Sequence, residues 1–300
     1  MTDKPGKQFG DAPGLLRRLA EAPGLLRRHL KGKQLISVDY RVSPRVRYGH
    51  GLPANPYLAR LIEGGRGRYA TLLRQFLAFG GDFARIPAQQ PADPRLPYWT
   101  NTYIPALDGI SIYAMLAIHR PAGLLEIGSG NSTKFARRAI GDHGLATRIT
   151  SLDPLPRAEC DALCDHTVRS RLEDADLAVF DDVQPGDVVY MDGSHRCFQN
   201  SDVTVFFLEV LPRLRPGVIV GVHDIFLPED YPPRRMGRFY SEQYVMAAYM
   251  LGLGDRLEIL LPNHFVSRDQ ELSGILAPLA GVPSLAGVPI EGWLIWFRKT

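Results

Sequence analysis

The feature that most restricts this 300-residue chain is an alternation of period that sets in at Gly123 and continues almost to the C-terminus. Short apolar runs, of the length of a buried strand, take turns with stretches whose apolar residues recur every three or four positions, as on a helix. Residues 124–127, 148–152, 166–170, 187–191 and 218–222 read as strands. The second ends at Asp153-Pro154, the fourth at Asp192 and the fifth at His223-Asp224. Residues 132–140 and 158–165 read as helices, and Val203, Phe206, Phe207, Val210 and Leu211 mark the apolar face of another. Strands that alternate with helices, without hairpin turns between them, require a parallel sheet covered on both faces. After a helix over 241–251 come two further strands, 257–261 and 293–297, joined by about thirty residues with no convincing helix. That connection suits an antiparallel pair better than another crossover. The expectation is an α/β domain with a mostly parallel seven-stranded sheet and an antiparallel last strand.

The rest of the chain is unlike this domain. Residues 34–120 read as a helical and loop-rich N-terminal extension ahead of a domain over 121–300. Apolar residues at helical spacing run from Leu58 to Phe79, broken by Gly64-Gly65, and four prolines (Pro87, Pro91, Pro94, Pro97) make 87–97 an irregular connector. A helix over 108–118 has Asp108 as its expected N-cap, with Ile112, Met115 and Leu116 on one face. Residues 1–33 read as a basic tail: Lys4, Lys7, Arg17, Arg18, Arg27, Arg28, Lys31 and Lys33 face only Asp3, Asp11 and Glu21. The tail also repeats Ala-Pro-Gly-Leu-Leu-Arg-Arg at 12–18 and 22–28, which is too little for a solenoid. No apolar run reaches the roughly 18–20 residues of a membrane span, and the N-terminus has no secretory core. Cys160, Cys164 and Cys197 are too few for a disulfide framework, so a reduced, cytoplasmic protein is expected. A net charge of +3 is too small to point to nucleic acid. Homo-oligomerisation is left open.

The chemistry concentrates where strand one meets its helix, at Glu126-Ile127-Gly128-Ser129-Gly130-Asn131-Ser132-Thr133. Gly128 and Gly130, with Ser129 between them, allow a tight bend and let a nucleotide-type ligand approach bare backbone. Thr133 stands where the dinucleotide fingerprint needs its third glycine. A carboxylate at Glu126 suits a cationic sulfonium ligand with an α-amino group better than a pyrophosphate, which seeks helix N–H groups and no nearby anion. Asp153, at the end of strand two, can accept both hydroxyls of a ribose, an arrangement that NAD sites also use.

Three segments in order, Glu-Ile-Gly-Ser-Gly-Asn-Ser-Thr at 126–133, Met-Asp-Gly-Ser-His at 191–195 and Val-His-Asp-Ile-Phe at 222–226, resemble class I methyltransferases of Rossmann-like fold. The branch they resemble is methyltransferase domain family 24, over about residues 98–265. The resemblance implies S-adenosylmethionine as cofactor, its methionine moiety against Gly128 and Gly130, its ribose on Asp153 and its adenine near Leu172 and Glu173. Ser129 and Asp192 complete the expected cofactor set. Metal-dependent O-methyltransferases of related fold hold a divalent ion at the ends of strands four and five. Here Asp192 and Asp224 match as ligands for an ion such as Mg²⁺, but Ile225 follows where a further Asp or Asn would stand.

Ligands in an open α/β sheet collect at the carboxyl ends of the strands, so Asp192, His195, His223 and Asp224 face the same crevice as the bend. Methyl transfer to a hydroxyl requires positioning of the donor and removal of a proton. His223 and His195 are the candidate bases, with Asp224 beside them. The arginine-rich stretch 234–244 is placed as a lid over the acceptor, its arginines either binding an anion or simply solvated. Tyr98, Trp99, Tyr103 and Tyr113 either wall the pocket or belong to the core. Cys160 and Cys164, one helical turn apart with His166 nearby, lack a fourth zinc ligand and read as inert buried thiols. The function expected is O-methylation of a small molecule, a sugar or secondary metabolite. The alternatives are an NAD-linked oxidoreductase and a non-catalytic scaffold of the same fold.

Overall fold

In the computed structural model, five parallel strands and two later ones form a single sheet, in the order β3-β2-β1-β4-β5-β7-β6. The structure describes residues 34, 36, 39–40, 42–156 and 159–300. The chain divides into two units, Met1–Ser43 and Pro44–Thr300, and the sheet belongs to the second. The repeat at 12–18 and 22–28 lies outside the described residues.

The strands are β1 (Gly123–Ile127), β2 (Arg148–Leu152), β3 (His166–Val168), β4 (Val188–Met191), β5 (Ile219–Val222), β6 (Glu258–Pro262) and β7 (Ile295–Arg298). β1 pairs parallel with β2 and β4, and β4 with β5, while β7 runs antiparallel between β5 and β6. This is the mostly parallel sheet with an antiparallel last strand that the periodicity implied. β4 and β5 are buried throughout, as strands covered on both faces must be. The order reverses beside β1, where β2 and β4 leave in opposite directions, and a crevice opens at that point.

Helix α1 (Pro56–Glu63) starts on Asn55, whose Oδ1 accepts from the Tyr57 and Leu58 amides at 3.1 and 3.2 Å. It stops at the Gly64-Gly65 break, after which α2 (Arg66–Phe76) begins. Helix α3 (Ala106–His119) is buried over nearly its whole length, not on one face alone. It packs against α4 (Asn131–His143) so closely that a Cβ on Gly109 would meet the Phe135 ring at 2.8 Å. Asp202–Val205, Phe206–Val210 and Leu211–Arg213 run on as one helix, α5, with a π segment in the middle. α6 (Glu242–Leu253) precedes β6. Among the described residues no helix is long and apolar enough to cross a membrane.

Three expectations are corrected. Asp108 does not cap α3: Pro105 occupies that position, and Asp108 lies in the first turn, fully buried. Its carboxylate accepts the Trp293 and Leu294 amides, 2.9–3.1 Å away, just before β7. A carboxylate at a helix start satisfies whichever N–H groups it meets, and here the tertiary ones won. The helix expected over 158–165 shrinks to one 3₁₀ turn, Asp161–Leu163, among the described residues. The long connection between β6 and β7 does contain helix, as α7 (Asn263–Arg268) and α8 (Gln270–Ile275). Both are too short to show a clear period in sequence.

Candidate functional site

The bend after β1 is built by glycine and held by acids. Gly128 has φ +79°, and a Cβ there would sit 2.0 Å from the Asp192 carbonyl oxygen, so the ends of β1 and β4 approach this closely only with glycine. Asp153 pins the bend from β2. Its Oδ2 accepts the Ser129 amide at 2.9 Å and its Oδ1 accepts the Leu155 amide at 2.7 Å. Ser151 donates its hydroxyl to the Ser129 Oγ at 2.8 Å. Each carboxylate oxygen of Asp153 has a second lone pair left for a ligand.

Thr133 explains why the third fingerprint glycine is absent. Its Oγ1 accepts the Gly130 amide at 3.0 Å and donates to Glu126. Ser132 also donates to Glu126. Glu126 therefore lies beneath the bend, 1 % exposed, and does not line the cavity above it. Burial pushes its carboxyl up to about 8, against the two hydroxyls, which pull it down. The expected role of Glu126 as an anion facing a cationic ligand is thus corrected to one of shaping the loop. The acids that line the cavity are Asp153, Glu159, Glu173, Asp192 and Asp202.

A cavity of about 740 Å³ covers the bend. Gly128, Ser129, Gly130 and Asp153 form its floor, with Leu172 and Glu173 at one end. Asp192, Ser194, His195, Arg196 and Phe198 form the other. The four aromatics upstream of β1 divide: Tyr98 and Tyr103 line the cavity, whereas Trp99 and Tyr113 are core. Trp99 and Tyr113 pack edge-on to Phe83, with ring centroids 5.8 and 5.5 Å away. Cys160 is buried, its Sγ 3.5 Å from the Ser129 hydroxyl.

Behind the far end of the cavity lies a buried network of acids and histidines. His195 has φ +61° and Asp224 φ +58°, left-handed conformations that cost on the order of 1–3 kcal/mol each in residues other than glycine. The His195 Nδ1 lies 2.8 Å from Oε2 of Glu242, which is fully buried at the start of α6. Its Nε2 lies 3.4 Å from Asp192 Oδ1 and 3.5 Å from Asp224 Oδ2. Burial lowers the affinity of His195 for a proton, but the bond to Glu242 and the charges of Glu242, Asp224 and Asp192 outweigh it, leaving its pKa raised. The same burial pushes Glu242 up to about 7.

His223 is placed differently from His195. Its Nε2 faces Asp108 Oδ2 at 3.2 Å and its Nδ1 faces Asp192 Oδ1 at 3.3 Å. Burial opposes its charge, yet Asp192 and Asp108 raise its pKa well above the ordinary value. It does not line the cavity. Outside the cavity it cannot meet an acceptor there, so the expectation of His223 as a base is corrected to a buried cation between α3 and the end of β4.

Asp224 also lies outside the cavity lining. Arg235, from the 3₁₀ segment Pro233–Arg238 after β5, forms an ion pair with its Oδ2. The guanidinium carbon stacks 4.5 Å from the Trp293 ring centroid and 5.1 Å from that of Phe226. The lid stretch is therefore anchored through Arg235, neither solvated there nor free for an anionic acceptor.

Asp192 and Asp224 fit Mg²⁺ poorly as a result. A hard divalent ion needs about six oxygen ligands. The Nε2 of His195 stands between these two carboxylates, and the guanidinium of Arg235 is paired with Asp224. A divalent ion about 4 Å from a guanidinium would meet a repulsion of about 8 kcal/mol at an effective dielectric of about 20. Among the described residues, no three His, Cys, Asp or Glu are grouped so as to hold a metal ion.

Sequence offered Asp108 only as a helix cap, and Arg235 and Glu242 only as part of the lid stretch; their partners His223, Asp224 and His195 are brought to them by the fold.

Residues 125–225 match a family model described as a methyltransferase domain. No curated protein matches the chain. Among solved structures it is similar to the mycinamycin-pathway methyltransferase MycE in complex with Mg, SAH and mycinamycin VI, at 17% identity and a TM-score of 0.34. That match covers 61% of this chain and 47% of MycE, so the chain spans about half of MycE's length. It is also similar to SAH-bound PaMTH1 of Podospora anserina, at 14% identity and a TM-score of 0.40, over 84% of this chain and 100% of that one. An O-methyltransferase of Bacillus cereus in complex with SAH is similar at 14% identity and a TM-score of 0.36, over 76% and 91%. The segment similar to a methyltransferase domain thus contains the bend, Asp153, His195 and Asp224.

Proposed function

We propose that the chain is an S-adenosylmethionine-dependent methyltransferase acting on a hydroxyl oxygen of a small acceptor, such as a sugar or secondary metabolite. Residues 121–300 are its catalytic domain and 34–120 an extension that brings Tyr98 and Tyr103 to the acceptor end. The observation that carries this reading is that His195, oriented by a buried Glu242, lines the same cavity as the Gly128–Gly130 bend and Asp153.

When bound, the cofactor supplies an electrophilic methyl group on a sulfonium. The bare backbone of Gly128, Ser129 and Gly130 accommodates its methionine moiety, and the two oxygens of Asp153 accept the ribose hydroxyls. Leu172 and Glu173 flank the adenine. Asp192, which lines the cavity, would supply the negative charge facing a bound sulfonium, the part that strand position alone had suggested for Glu126. The Glu242 carboxylate accepts the Nδ1 proton of His195 and so directs Nε2 to the acceptor hydroxyl, from which it takes the proton. The imidazolium that forms is stabilised by Glu242, Asp192 and Asp224. Asp224 thus acts through His195. Tyr98, Tyr103 and Phe198 give the acceptor end aromatic walls, which exclude water and favour a ligand with an apolar face.

The test is release of SAH by the full chain, supplied with S-adenosylmethionine and a panel of hydroxylated small molecules. Acceptor-dependent release, slowed roughly 10²–10⁴-fold in His195→Gln, is expected. Binding of NAD instead of S-adenosylmethionine would support the oxidoreductase reading. Cofactor binding with no turnover and a stable protein partner would support the scaffold.

A further inference from the structure

The lid stretch contributes a cation to the strand ends, and this deepens the methyltransferase reading on which it rests. We infer that Arg235 takes the place of a divalent ion at the Asp192–Asp224 strand ends, as a positioning residue that makes methyl transfer on this chain independent of metal.

Asp224 follows β5 in a left-handed conformation that turns its carboxylate inward, to 7 % side-chain exposure. Arg235 reaches it from the next segment of chain and is 13 % exposed. The guanidinium is held from behind by the Trp293 and Phe226 rings, which are themselves stacked with centroids 5.5 Å apart. The backbone of Arg235 is fixed by its amide donating to the Pro232 carbonyl at 2.8 Å. Trp293 is fixed in turn by its amide donating to Asp108. The cation therefore sits in a built socket and is not a mobile surface arginine that happens to meet an acid.

The two strand-end carboxylates are also bridged from the cavity side. The His195 Nε2 stands within 3.5 Å of both. An ion coordinated by Asp192 and Asp224 would have to displace this ring nitrogen and approach the guanidinium. A guanidinium differs from a metal in consequence as well as in charge. It cannot bind an acceptor oxygen directly from its place outside the cavity, so it leaves activation of the hydroxyl to His195. Its work is to hold Asp224 with its charge balanced and aimed at His195.

The proposal predicts a gain of metal binding when the cation is removed. Mn²⁺ is titrated into the full chain, with bound ion read by electron paramagnetic resonance, for wild type, Arg235→Met and Arg235→Lys. Methionine keeps the apolar contact with Trp293 and Phe226 while removing the charge. The expected result is no saturable Mn²⁺ binding by wild type or Arg235→Lys, and binding at least tenfold tighter in Arg235→Met that Asp224→Asn abolishes in the double variant. Saturable binding in wild type that Asp224→Asn removes would overturn the inference. A folded Arg235→Met that binds no more Mn²⁺ than wild type would overturn it too. If Arg235→Met fails to fold, the Arg235→Gln variant is measured in its place: tighter Mn²⁺ binding supports the inference and unchanged binding overturns it. The titration needs neither cofactor nor acceptor, so its failure leaves the methyltransferase reading to be judged by SAH release. Acceptor-dependent release that persists unchanged in a chelator completes the expectation, and loss of release on chelation contradicts it.

Discussion

Replacing Asp153 by alanine removes the group that both shapes the bend and faces the ligand. In the free protein its two oxygens accept the Ser129 and Leu155 amides at 2.9 and 2.7 Å. Hydrogen bonds to a charged acceptor contribute roughly 1.5–3 kcal/mol each, and water entering the vacated space offsets much of that. The remaining lone pairs accept the two ribose hydroxyls, so the bound state loses a second pair of bonds in addition. A loss in SAH affinity of at least tenfold follows, about 1.4 kcal/mol, and a hundredfold loss, about 2.7 kcal/mol, is within the same arithmetic. Calorimetric titration of wild type, Asp153→Ala and Asp153→Asn with SAH measures it, beside urea unfolding of the same samples. Asparagine keeps one acceptor oxygen, so its affinity should fall between the other two. A folded Asp153→Ala protein that binds SAH as tightly as wild type would refute the ribose contact.

Other perturbations give separate outcomes. Gly128→Ala places a methyl group on the Asp192 carbonyl at a positive φ, so urea unfolding should show a loss of at least about 1–2 kcal/mol and SAH titration weaker binding. Unchanged stability would mean that the β1 and β4 ends approach less closely than described. Because the carboxyl of Glu126 is pushed up to about 8 from an ordinary 4.5, its stabilising contribution is complete below pH about 4.5 and is lost as pH rises through about 8. Glu126→Gln should flatten stability between about pH 4.5 and about 8 by on the order of a few kcal/mol, and an equally steep profile in the variant would assign the slope elsewhere. The raised pKa of His195 sets the acidic limb of kcat/KM above 6.5. Removing the Glu242 charge in Glu242→Gln should move that limb to lower pH and lower kcat, and a limb that stays in place would show that Glu242 does not act through His195.

The sheet was legible because its signals are local. β2, β4 and β5 are apolar runs that each stop at a polar residue (Asp153, Asp192, His223), and the observed β2 has the expected bounds. The antiparallel β7 was expected, although the connection before it holds two short helices that the sequence did not reveal. The bend was legible too, since Gly128 must meet bare backbone there. What sequence hid was direction and partnership. Glu126 is next to the bend in sequence, but strand alternation turns its side chain under the loop and toward Ser132 and Thr133. His195 and His223 look alike at two strand ends. Only the fold brings Glu242 to the first and Asp108 to the second, 47 and 115 residues away in sequence. Asp224 looked like a metal ligand until tertiary packing brought Arg235 onto it.

The most direct measurement is a crystal structure of the full chain grown with SAH. The account predicts ligand density against Gly128–Gly130, with the ribose hydroxyls on Asp153, the adenine beside Leu172 and Glu173, and the sulfur end directed to Asp192 and His195. An empty bend, or a dinucleotide diphosphate lodged there when NAD is supplied instead, would contradict it.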